Sequence, residues 1–104
     1  PEVWRYDGKQ GLAPILEQIA ARGITRLLVE AGSALSGAFW RDGLVDALYA
    51  YHAPHLHFGG GVPALEGLPP QACTQLPGGT LHEKRALGPD FLHVLRFTDP
   101  QNLL

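Results

Sequence analysis

The chain has 104 residues, with eight Lys plus Arg against ten Asp plus Glu and a formal net charge of −2. That length allows one domain with a single modest core, burying about 60–70% of the surface exposed by the unfolded chain. The acidic balance disfavours a polyanionic partner such as DNA or RNA, the single cysteine, Cys73, excludes an intrachain disulfide, and no apolar run approaches the roughly 18 residues of a membrane-spanning helix.

No signal-peptide pattern and no cysteine framework point to export, so the expected location is the cytoplasm. The chain lacks methionine and opens directly on a β-prone run. It therefore reads as a piece of a longer polypeptide, with 1–104 forming one partial domain.

Val3, Trp4 and Tyr6 predict a short strand ending at the turn dipeptide Asp7-Gly8. Gly11 to Arg22 predicts a helix, because Leu12, Ile15, Leu16, Ile19 and Ala20 recur at helical spacing and form one apolar stripe. Pro14 is tolerated there only in the first turn. Gly23 stands where a glycine ends a helix.

Ile24, Leu27, Leu28 and Val29 then predict a strand buried on both faces. It stops at Glu30-Ala31-Gly32-Ser33, and Leu35, Ala38 and Phe39 follow at helical spacing. Such a strand-to-helix turn suits an anion. The first backbone N–H groups of a helix lack intrahelical partners, and the macrodipole adds partial positive charge there. Gly32 would admit a ligand close to the backbone, and Ser33 can cap the helix or donate to a phosphate oxygen. The plain alternative is a permissive turn glycine followed by an ordinary N-cap.

The helix should stop at Gly43, with Leu44 packing back over its last turn. Val45 to Ala53 predicts the next strand. From Gly59 to Gly79 the chain is rich in Gly and Pro and reads as loop. Thr80 to Leu87 and Phe91 to Phe97 flank Gly88-Pro89-Asp90 and predict an antiparallel hairpin, with Thr98 to Leu104 a frayed tail. The whole predicts an α/β domain: parallel strands joined by helical crossovers, flanking helices, and a carboxy-terminal antiparallel hairpin.

Other clusters carry weaker chemistry. His52-x-x-His55-x-His57 has the look of a metal site, but it lies at a strand end with no second ligand cluster, so solvated histidines and no metal are expected. His82 and His93 are expected to face each other across the hairpin. Phe39 and Trp40 are expected to pack rather than to stack on a ligand. A helix-turn-helix over 11–40 is disfavoured by the charge and by the β-prone Leu27-Leu28-Val29.

The run LLVEAGSALSGAFWRDGLVDALYAYHAPHLHFGGGVPALEGL resembles the core of the reductase domain of the bifunctional riboflavin-biosynthesis deaminase/reductase, a family with a dihydrofolate-reductase-like fold. The Val-Glu-x-Gly turn, the Gly-Ala-Phe helix, Gly-Leu-Val-Asp and Ala-Pro before a glycine-rich loop carry it. The likeness covers about 7–68, continues weakly through Leu87-Gly88-Pro89-Asp90-Phe91, and corresponds to the carboxy-terminal part of that domain.

What the resemblance implies is NADPH-dependent reduction of the ribosyl chain of 5-amino-6-(5-phosphoribosylamino)uracil, a phosphorylated pyrimidine, to its ribityl form, by a homodimer paired through its sheet. By the same resemblance Gly32, Ser33, Ala34, Leu35, Ser36, Gly37 and Ala38 would bind the NADP phosphates and adjacent ribose, and Glu30 would contact substrate. Ala31 departs from the family, which has a second glycine there. The amino-terminal half of the family's domain, with most of its substrate contacts, has no counterpart in this chain. A dimerisation or nucleotide-binding module without catalysis is therefore the alternative expectation.

Overall fold

The computed structural model describes residues 2–56, 58–68 and 78–97. His57, Cys73 and the tail 98–104 lie outside them. A 3-10 turn, Gly8–Gln10, precedes two helices, α1 (Ala13–Ala21) and α2 (Ser33–Arg41), and three strands, β1 (Ala47–His52), β2 (Thr80–Leu87) and β3 (Asp90–Arg96).

Both helices end as their glycines predict. Gly43 takes a φ of 69°, its N–H bonds to the Trp40 carbonyl at 3.1 Å, and the Leu44 N–H bonds to the Phe39 carbonyl at 3.0 Å. This paired closure satisfies two carbonyls that the helix itself leaves open. Gly23 does the same work after α1, with a φ of 80° and a bond to Ala20. Pro14 sits in the first turn of α1, where it removes no helical hydrogen bond.

The sheet is antiparallel throughout, in the order β1-β3-β2. Gly88 has a φ of 60°, which a two-residue hairpin turn needs at its first central position, and Leu87 pairs with Asp90 across it. The central strand β3 holds the sheet's core: Val94 is 1% exposed and Leu92 5%. Trp40 of α2 meets Phe97 edge-on, with ring centroids 4.8 Å apart, so it packs as expected.

Three sequence expectations are corrected. The run from Ile24 to Val29 forms no strand, and its side chains are exposed, Leu28 by 73%. A strand exists only through its ladder. Among the described residues nothing pairs with this run, since β1 pairs with β3 alone. The parallel crossovers therefore do not form here. Val3 to Tyr6 is likewise unpaired. It is tied instead to the end of α1, where Arg22 binds the Glu2 carboxylate through two contacts of 2.9 Å and lies 4.5 Å over the Trp4 ring.

The third correction concerns the histidines. The hairpin register sets Lys84 opposite His93, and a bulge between Leu81 and Glu83 displaces His82 from the ladder. His82 Nε2 lies 3.2 Å from Arg96 Nη2. The partner of His93 is His52 on β1, with ring centroids 5.1 Å apart.

Candidate functional site

The site begins where the run from Ile24 ends. Glu30, Ala31 and Gly32 are exposed, and α2 starts at Ser33 with Gly32 as its N-cap. The first helical bond runs from the Ser36 N–H to the Gly32 carbonyl at 3.1 Å. No side chain caps the helix. Among the described residues nothing accepts from the N–H groups of Ser33, Ala34 and Leu35. Three donors at the positive end of a helix dipole therefore lack an acceptor among the described residues, the arrangement that a bound phosphate or carboxylate satisfies.

Gly32 has φ −67° and ψ 174°, an extended conformation that any residue adopts. A Cβ built there would meet nothing within 4 Å. The turn itself thus imposes no glycine, and what a side chain at this position would occupy is the space in front of the open amides. The Ser36 hydroxyl donates to the Ala31 carbonyl at 3.3 Å, tying the turn to the first turn of the helix. Glu30 is exposed and makes no side-chain hydrogen bond among the described residues, so its carboxylate is free for a ligand beside the anion-accepting end. It is not the buried, sheet-bonded carboxylate that a buried strand would require.

The remaining positions of the expected set divide by helix face. Leu35, with Phe39, lines an apolar groove of about 250 Å³ shared with Leu12, Ile15, Leu16 and Leu27. Ala38 is half-buried and Ala34 exposed. Gly37 is buried and lies against the backbone of Glu66: a Cβ built on it would fall 1.9 Å from the Glu66 carbonyl oxygen. The Glu66 N–H in turn donates to the Ser33 carbonyl at 3.0 Å. Sequence reasoning missed this docking of the glycine-rich segment on α2. The available signal was Gly37 itself, because a glycine in mid-helix costs about 1 kcal/mol relative to alanine and so marks a close approach.

Among the described residues no group of three or more His, Cys, Asp or Glu side chains can hold a metal ion, and His57 lies outside those residues. No described helix is long and apolar enough to cross a membrane.

These features define an α/β domain of two helices and a three-stranded antiparallel sheet, with open amides and a free carboxylate at the start of its second helix. Residues 3–92 match the RibD C-terminal domain, and the chain belongs to that family. It is 38% identical over 73 residues to the riboflavin biosynthesis protein RibD of Chlamydia muridarum, covering 69% of this chain and 19% of that protein. It is also 35% identical over 93 residues to RibD of Escherichia coli K12, covering 86% of this chain and 25% of that protein. Among solved structures it is similar to Acinetobacter baumannii RibD, with a TM-score of 0.75 and 25% identity over 94% of this chain and 26% of that one. The likeness supports the dihydrofolate-reductase-like class. The chain spans about a quarter or less of the length of these relatives.

Proposed function

We propose that this chain is the nucleotide-binding portion of an NADPH-dependent reductase of riboflavin biosynthesis, acting on the ribosyl chain of 5-amino-6-(5-phosphoribosylamino)uracil. The observation that carries the reading is the uncapped N-terminus of α2, where the amides of Ser33, Ala34 and Leu35 lack acceptors among the described residues. Those amides would hold the cofactor's phosphates, and the open space at Gly32 leaves room for them. When bound, NADPH supplies the hydride that reduces C1 of the ribosyl chain in its open imine form. Glu30 would accept hydrogen bonds from the sugar hydroxyls or the ring N–H groups and orient that carbon. The chain's setting would be the cytoplasm.

The test is Gly32→Asp, read by calorimetric titration with NADPH. Because the backbone at Gly32 is ordinary and its surroundings are open, aspartate fits there as an N-cap and adds a few tenths of a kcal/mol of helix stability. The same carboxylate occupies the anion position and repels phosphate. Expected is a lost NADPH affinity with an equal or higher melting temperature. Unchanged affinity in a folded variant overturns the assignment.

A second reading, association of two copies, is favoured by the exposed, unpaired run Ile24 to Glu30. Unpaired backbone flanked by apolar side chains pairs readily with another strand. Sedimentation velocity should find a dimer for the unaltered chain and a monomer for Leu28→Lys. A monomeric unaltered chain removes this reading.

A further inference from the structure

Of the seven residues from Gly32 to Ala38, Gly37 alone is buried. It faces the backbone of Glu66 and not the open end of α2. Gly37 and Ser33 are one turn apart and share a helix face. Ser33 receives the Glu66 N–H at 3.0 Å, and Gly37 receives the Glu66 backbone itself, against which a Cβ would stand 1.9 Å from the Glu66 carbonyl oxygen and 2.9 Å from the Glu66 nitrogen. One turn further, a Cβ at Gly67 would come within 3.4 Å of Arg41 Nη1. Glu66 and Gly67 therefore lie along one face of α2, with Glu66 reaching the carbonyl of Ser33 in its first turn.

Helical glycine is conformationally costly, and here no positive φ calls for it. What Gly37 permits is the approach of a second backbone. We propose that Gly37 is a positioning residue that does not itself touch the cofactor: it seats Glu66, and the seated segment 59–68 forms one wall of the nucleotide site at the start of α2. The backbone contact does this, and the Glu66 side chain, exposed and without a hydrogen bond among the described residues, does not. The inference rests on the nucleotide reading given above, but its structural half can be measured without nucleotide.

The experiment compares the unaltered chain, Gly37→Ala and Glu66→Ala by amide hydrogen exchange and by NADPH titration. Alanine favours the helix more than glycine does, so loss of α2 is not the expected consequence of Gly37→Ala; circular dichroism checks this. Expected for Gly37→Ala is at least a tenfold loss of exchange protection at the Glu66 amide and at least a tenfold weaker NADPH binding. Glu66→Ala keeps both, because it keeps the N–H and the backbone contact. Retained protection in Gly37→Ala overturns the seat. Lost protection with unchanged affinity overturns the wall. An unaltered chain that protects the Glu66 amide but binds no NADPH refutes the nucleotide reading, and the wall with it, while leaving the seat established. If Glu66→Ala loses affinity as Gly37→Ala does, the side chain and not the seat governs binding, and the proposal fails.

Discussion

Two stretches of this chain are equally β-prone in sequence and end up differently. Leu92 and Val94 lie in a central strand with ladders on both sides and are almost wholly buried, whereas Leu27, Leu28 and Val29 are unpaired and exposed. Composition does not separate them. What separates them is a partner: β3 finds β2 across a two-residue turn and β1 across a longer connection, while no described strand pairs with the Ile24 run. Sheet order depends on pairing and same-face packing more than on intrinsic preference, and the cheap, local hairpin is the part that needs nothing further.

The comparison breaks most sharply on core truncation. Leu92→Ala should cost about 2–5 kcal/mol, whereas Leu28→Ala should stay within about 0.5 kcal/mol. Chemical denaturation of both variants checks this. Similar losses in the two would mean that the Ile24 run is packed in solution and that the contrast drawn here is wrong.

A smaller effect concerns the amino-terminal segment, which is held by side chains where the sheet is held by its ladder. The Arg22 guanidinium, and secondarily Trp4, hold the Glu2 carboxyl below its ordinary value of 4.5. A depressed folded value contributes stability that is present in full above the unfolded value and lost as pH falls through the folded one. This clamp should therefore weaken below about pH 4.5. Both groups are solvent-exposed, so the effect on melting temperature is slight. Glu2→Gln should remove that increment of acid sensitivity and leave the sheet untouched. An unaltered acid profile in the variant would show that the clamp does not operate in solution.

How far the sequence could be read follows the same division. Helix ends were legible because Gly23 and Gly43 take the left-handed conformation that closes a helix, and the hairpin because Gly88 does so in a turn. These are local devices, each contained in a few residues. The Ile24 run misled because burial on two faces is a property of neighbours, which the run itself does not contain. His82 and His93 misled because a bulge and the hairpin register, invisible in composition, set His93 beside Lys84 and His52. At the candidate site, the place where α2 starts was readable from Gly32-Ser33, but its cap was not: Ser33 could be read as the N-cap, whereas Gly32 holds that position and no side chain caps the helix. The docking of Glu66 on Gly37 joins positions 29 residues apart, and only the unexplained mid-helix glycine hinted at it.

The most direct test of the account is a titration of the isotope-labelled chain with NADPH, following backbone amide shifts. The account predicts that Ser33, Ala34 and Leu35 move first and furthest, in a saturable manner, with Glu30 responding only when the pyrimidine substrate is added. Saturable shifts centred elsewhere, or none at these three amides, would contradict it.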